Sequence, residues 1–145
     1  MVLCTANSIR SQMAEGFLRA MGKGRIEAHS AGVMAAGVNP RAVKAMREAG
    51  IDISGQSSKE LDPALLRRMD LVITVCGHAE ATCPSTPPSV RRLHLPIDDP
   101  VGARGTEEEV MNEFRRARDE IRAALVPVVR ELLAEEDISR LYRKS

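Results

Sequence analysis

The sequence predicts a single α/β domain spanning residues 1–145, built on a central four-stranded parallel sheet flanked by helices. Three observations predict it. Short apolar runs alternate with segments of helical period along the chain. The run Asp70-Leu-Val-Ile-Thr-Val-Cys76 is almost continuously apolar, as a strand covered by helices on both faces should be. Cys4, Cys76 and the Asp98-Asp99 pair all fall at the carboxyl ends of predicted strands, where open α/β sheets place their sites.

Each element follows in order. Val2-Leu3-Cys4 ends a first buried strand. Ser11 to Met21 reads as a helix with Met13, Ala14, Phe17, Leu18 and Met21 on one face. Arg25 to Ser30 is a short strand, and Gly32 and Gly37 punctuate the loop after it. Asn39-Pro40 opens a second helix, with proline in a first turn where its missing N–H costs nothing, and Gly50 stops it. Asp62-Pro63 opens a third, running to about Met69. Gly77 ends the strand of residues 70–76; Ala79 to Thr82 is a short helix, Pro84 to Pro88 a loop, and Arg92 to Ile97 the last strand. Thr106-Glu-Glu-Glu109 is a capping box. The helix it opens carries Val110, Phe114, Ala117, Ile121 and Leu125 on one side until Pro127, which should kink or end it.

Composition bounds function. A chain of 145 residues with 43% apolar side chains has enough material for one core. Its formal charge of +1 excludes a general nucleic-acid binder. The pairs Arg67-Arg68, Arg91-Arg92 and Arg115-Arg116 read as solvated faces. Tryptophan is absent, and Phe17, Phe114 and Tyr142 are the only aromatics, so no stacking platform for single strands is on offer. No run approaches the ~20 apolar residues that span a membrane, and the first residues do not form a signal peptide. The chain therefore reads as cytoplasmic, without nucleic-acid or membrane partners. In that compartment three cysteines are reactive, metal-binding or buried thiols rather than permanent bridges.

The segment Cys4-Thr-Ala-Asn-Ser-Ile-Arg10-Ser11 joins a strand to a helix. Backbone N–H groups of Thr5, Ala6, Asn7, Ser8, Ile9 and Arg10 can turn inward to bind a tetrahedral oxyanion. The helix behind adds its positive end, and Arg10 can grip two oxygens with its planar fork. The same positive surroundings favour a thiolate at Cys4. Ser11 is placed to hydrogen-bond that sulfur, and Asn7 suits a tight turn because asparagine tolerates left-handed backbone.

Cys-Thr-x-Asn-Ser-x-Arg-Ser-Gln-Met-Ala-Glu-Gly, residues 4–16, resembles the start of the arsenate reductases of the low-molecular-weight protein tyrosine phosphatase superfamily. The resemblance continues through Ser30-Ala-Gly-Val33, Val38-Asn-Pro40, Gly50-Ile-Asp-Ile-Ser54, Val75-Cys76-Gly77, Cys83-Pro84, Asp99-Pro100, Gly105-Thr-Glu-Glu-Glu109 and Arg118-Asp-Glu-Ile121. Members of that group usually begin several residues earlier, with a longer first strand; here Met1-Val2-Leu3 alone precede the cysteine.

The resemblance implies a low-molecular-weight phosphatase-like fold and a relay. Cys4 attacks arsenate, Cys76 attacks Cys4 to release arsenite, and Cys83 takes the disulfide from Cys76, with thioredoxin as reductant, or a glutaredoxin or small thiol in its place; no cofactor and a monomeric chain are expected. A fully helical segment 76–83 would put the last two sulfurs ~10 Å apart, beyond the reach of a disulfide, so it must unwind or fold back. Two idle thiols are the bland alternative. A zinc site lacks CxxC spacing, and His29, His78 and His94 read as surface or satisfied polar residues. Asp99, before Pro100, corresponds to the family's general acid, a role that typically contributes roughly 10²–10⁴-fold; Asp98, or a simple Asp-Pro turn, is the alternative. Val101-Gly102 stand where the phosphatase branch carries tyrosines. Asn7, Glu15, Ser30 and Ser57 match a monovalent-cation region of some relatives, with Lys59 either replacing the ion or standing as a solvated surface lysine, and no other metal expected. A phosphatase and a redox sensor remain the rival readings.

Overall fold

The computed structural model describes residues 1–77 and 85–144, with side chains to residue 138. The elements run β1 (Val2–Cys4), α1 (Arg10–Gly22), β2 (Ser30–Gly32), α2 (Pro40–Glu48), α3 (Pro63–Arg67), β3 (Leu71–Thr74), β4 (Arg91–His94), a 3₁₀ turn (Pro100–Gly102) and α4 (Glu107–Lys144). The four strands form one parallel sheet in the order β2-β1-β3-β4. The expected α/β class and four-stranded sheet are what the chain adopts. The expected helix at Ala79–Thr82 lies outside the described residues.

Alternation along each strand divides the core in two. Val2, Cys4, Ile73 and Val75 face α1, α2 and α4, where Met13, Phe17, Met46, Met111, Phe114 and Ile121 are buried. Leu3, Ala31 and Val72 face the other way, onto Leu66 of α3 and Val90. β1 has only three residues, yet it pairs on both sides, with Val2 opposite Ser30 and Ile73. The amino group of Met1 extends that pairing by donating to the Leu71 carbonyl at 2.9 Å. A short central strand is thus held by neighbours rather than by its own length.

Two expectations are corrected. β2 is Ser30–Gly32, not Arg25–Ser30. Lys23 and Gly24 turn at positive φ, so residues 25–29 lead up to the sheet instead of forming it. α4 does not end at Pro127 but continues to Lys144. The hydrogen bond that Pro127 forfeits is to the Ala123 carbonyl, and both residues lie on the exposed side, where the group is open to solvent. Beyond the proline the helix is tied down again: Arg25 donates to the Leu133 carbonyl at 3.2 Å, and Arg91 pairs with Glu135 at 3.1 Å. The capping box forms, with Glu109 N–H on Thr106 Oγ1 at 3.1 Å and Thr106 N–H on Glu109 Oε1 at 3.3 Å. Among the described residues no helix is long and apolar enough to cross a membrane.

Candidate active site

The loop between β1 and α1 is built by its carbonyls. Thr5 O accepts from Met34 N–H at 3.1 Å, Ala6 O from Ala36 N–H at 3.1 Å, and Ser8 O from Asn39 N–H at 3.0 Å. Asn7 O accepts from Gln12 Nε2 at 3.0 Å and Ser58 Oγ at 2.8 Å, and Ile9 O from Met13 N–H at 2.9 Å. Each trans peptide points its N–H opposite to its C=O. With these carbonyls engaged outside, the amides of Ala6, Asn7, Ser8, Ile9 and Arg10 are directed to the other side of the loop, an arrangement able to receive an anion. Ile9, at the start of α1, makes no side-chain cap bond, which leaves the helix's positive end to these amides.

Asn7 is the pivot. Its φ of 46° is left-handed, and its side chain is fully buried. Oδ1 accepts from Lys59 N–H at 2.8 Å and Gln12 Nε2 at 3.0 Å. That fixes the amide's orientation, so Nδ2 spends its two hydrogens on Ser11 Oγ and Ser30 Oγ, each at 2.9 Å. Ser30 Oγ donates onward to Glu15 Oε1 at 2.8 Å. Ser11 Oγ, having accepted from Asn7, keeps its own hydrogen for Cys4 Sγ, 2.8 Å away. The chain of bonds thus leaves the Ser11 hydroxyl able to donate to the sulfur. Cys4 is a free, buried thiol.

Gly32 lets the loop sit where it does. A Cβ there would lie 2.7 Å from Thr5 O and 2.8 Å from Asn7 N. Its own N–H donates to Lys59 O, and its carbonyl accepts from Leu61 N–H. The strand end, the 34–39 strap and the 57–61 segment thus converge on residues 5–8.

Arg10 is 3% exposed and reaches across the site. One Nη donates to Ile97 O at 3.0 Å and Val75 O at 3.4 Å; the other meets Asp99 Oδ2 at 3.2 Å. Asp99 Oδ1 accepts from Val101 N–H at 2.9 Å, capping the 3₁₀ turn. Arg10 and Asp99 are therefore brought together, and the guanidinium bridges β1's loop to the ends of β3 and β4. Asp98 is exposed, and its carbonyl is held by Arg116. Cys76, two residues past β3, is buried and disulfide-bonded. Cys83 lies outside the described residues, as does His78.

Glu15 is buried against Arg19 at 3.0 Å, with Lys59 Nζ at 3.8 Å from its Oε1. Lys59 Nζ also donates to the Ser57 carbonyl. Asn7, Glu15, Ser30, Ser57 and Lys59 thus lie in one connected cluster, beside an open hollow of about 540 Å³. Among the described residues no three His, Cys, Asp or Glu side chains gather to hold a metal ion. His94 bonds Thr74 Oγ1 through Nδ1 at 2.7 Å, and His29 faces Glu27 at 3.1 Å.

Sequence reasoning missed Gln12, Ser58 and the 34–39 strap. Gln12 carried a faint signal: it is the third consecutive polar residue in the first turn, directly before the apolar Met13 and Ala14. The strap carried none, because it acts through backbone N–H groups.

Known proteins match this arrangement. The model of the low molecular weight phosphotyrosine protein phosphatase family matches residues 1–138. An arsenate reductase of Bacillus licheniformis is 57% identical over 119 residues, 82% of this chain and 86% of that protein. A solved arsenate reductase in its phosphate-binding state superposes with a TM-score of 0.75 at 31% identity, covering 91% of this chain and 96% of that one. The thioredoxin-dependent arsenate reductase of Corynebacterium glutamicum superposes with a TM-score of 0.60 at 26% identity, over 95% of this chain and 61% of that one. The chain belongs to the low molecular weight phosphotyrosine protein phosphatase family, among its arsenate reductases.

Proposed function

We propose that this arsenate reductase passes two electrons to arsenate through Cys4, Cys76 and Cys83, in the cytoplasm, and is recharged by thioredoxin. The nest of residues 5–11 and Arg10 holds the tetrahedral anion. Cys4 thiolate attacks arsenic while Asp99 protonates the departing oxygen, giving a thiol–arsenate adduct. Cys76 thiolate then attacks Cys4 Sγ. The electron pair of the S–As bond stays on arsenic, which leaves as arsenite, and a Cys4–Cys76 disulfide remains. Cys83 attacks Cys76, frees Cys4 as a thiolate and forms the Cys76–Cys83 disulfide that thioredoxin reduces.

The observation that carries this reading is the division of labour among the cysteines. Cys4 is a free thiol, whereas Cys76 is disulfide-bonded, and the sequence holds one further cysteine, Cys83. A phosphatase needs Cys4, Arg10 and Asp99 but neither of the others. The test is arsenate-dependent NADPH oxidation with thioredoxin and its reductase. Wild type turns over, and Cys76→Ser and Cys83→Ser each stop after one equivalent or fewer. Aryl phosphate hydrolysis that dominates and survives both substitutions would establish the phosphatase reading instead.

The Lys59 ammonium takes the place of a monovalent cation in this reading, sharing Glu15 with Arg19 behind Asn7. The 3.8 Å approach of Lys59 Nζ to Glu15 supports it. Activity and melting temperature should then respond alike to potassium and sodium. A marked gain with potassium alone in the wild type overturns the assignment.

A further inference from the structure

We propose that Arg116 is a positioning residue for the acid Asp99, a role that rests on the reading of Asp99 as proton donor. Between the end of β4 at His94 and the 3₁₀ turn at Pro100, the chain has no strand or helix of its own. Leu95 N–H and Ile97 N–H still reach the Thr74 and Val75 carbonyls, at 2.8 and 3.3 Å, and two arginines hold the carbonyls that follow. Ile97 O accepts from Arg10 at 3.0 Å, and the next carbonyl, Asp98 O, accepts from Arg116 Nη2 at 3.1 Å. The two come from different helices, α1 and α4, and grip successive peptides.

The peptide that Arg116 grips is the one joining Asp98 to Asp99. Its plane sets the direction in which the Asp99 side chain leaves the backbone. That carboxylate is already divided between two tasks, with Oδ1 on Val101 N–H and Oδ2 facing Arg10. A rotation of the 98–99 peptide would pull Oδ2 away from the nest without breaking the sheet.

Arg116 is itself braced. Its Nε donates to Glu113 at 3.1 Å and its Nη1 to Glu120 at 3.0 Å, three residues before and four after it on α4. A planar fork with two directions fixed has little freedom in the third, so Nη2 is aimed at Asp98 O before any substrate arrives. The neighbouring arginines do something else. Arg115 pairs with Glu48 of α2 at 2.8 Å, and Arg118 donates to Ala45 O at 2.8 Å. The Arg115-Arg116 pair lies on a solvated face, yet each member has a partner there. One member joins helix to helix, and the other holds the acid segment. Arg116 is 29% exposed and its acidic partners more so, so its bonds contribute little to global stability. Its loss should appear in the rate.

The test is a double-mutant cycle read by single-turnover arsenite release from the reduced chain at saturating arsenate, with the arsenate KM and the melting temperature measured alongside. If Arg116 acts through Asp99, Arg116→Ala slows release roughly 10-fold in the wild-type background, in keeping with the cost of a small misplacement. It changes KM less than twofold, and it slows the already slow Asp99→Asn chain hardly at all. Equal slowing in both backgrounds, or no slowing in the wild type, overturns the proposal. An Asp99→Asn chain as fast as wild type removes the acid reading itself, and this proposal with it. Should Arg116→Ala fail to fold, the Glu113→Gln, Glu120→Gln double substitution loosens the same guanidinium, and the same comparison with Asp99→Asn decides.

Discussion

The first turns of α1 and the body of α4 obey opposite rules. α4 is amphipathic: Met111, Phe114, Ala117, Ile121 and Leu125 are buried, while most of its many charged side chains meet solvent or one another. α1 begins by burying Arg10, Ser11, Gln12 and Glu15. Burying such groups is costly unless each is bonded, and each is, into the network around Asn7 and Asp99. One helix is shaped for stability, and the other accepts polar burial to hold a sulfur and an anion nest. Substitutions in α1's start should therefore cost activity, and substitutions along α4's buried stripe should cost stability.

The sharpest break of that comparison is Cys4→Ser. It should abolish arsenate reduction while leaving the melting temperature nearly unchanged, because serine fits beside Ser11. Calorimetry and the coupled assay on one preparation check both halves. Phe114→Ala is the converse. Phe114 is 1% exposed, and its removal should cost about 3–5 kcal/mol by urea melts while the rate per folded molecule is kept. Next comes Arg10→Lys. A lysine cannot fork between the Ile97 carbonyl and Asp99, and kcat should fall by roughly 10²-fold, as when one oxyanion donor is lost. Thr106→Ala removes the N-terminal cap of α4 and should cost about 0.5–2 kcal/mol, with kcat unchanged.

Glu48→Gln is the smallest. The hydrogen bond from Arg115 holds the Glu48 carboxyl below its ordinary value of 4.5. A depressed carboxyl stabilises the folded chain above its unfolded value and loses that contribution as pH falls through the lower folded one. The wild type should thus shed slightly more stability than the variant on acidification from pH 5 downward. Parallel acid melts would show it, and coincident curves would contradict it.

Much of this was legible in the sequence. The buried run into Cys76 marks β3, the capping box marks the start of α4, and Cys4-x5-Arg10 marks the loop between β1 and α1. Each is a side-chain pattern with a local cause. What escaped is carried by backbone or by distance. β2 is three small residues, Ser30-Ala31-Gly32, with no β-branched side chain to announce it; its place is set by pairing with β1. Pro127 breaks a local rule on a face open to solvent, where the breach is tolerable. The 34–39 strap supports the nest through N–H groups that every residue but proline has. Arg116 looks like any solvated arginine until the fold brings Asp98 against it.

The relay is the central claim, and one measurement tests it most directly. Reduced chain is given one equivalent of arsenate without thioredoxin, quenched in acid with an alkylating agent, and its disulfides are mapped by peptide mass while arsenite is counted. The account predicts one arsenite per chain, a Cys76–Cys83 disulfide and an alkylated Cys4 in the wild type, and a Cys4–Cys76 disulfide in Cys83→Ser. Arsenite released with Cys76 still alkylated, or a Cys4–Cys83 link in the wild type, would contradict it.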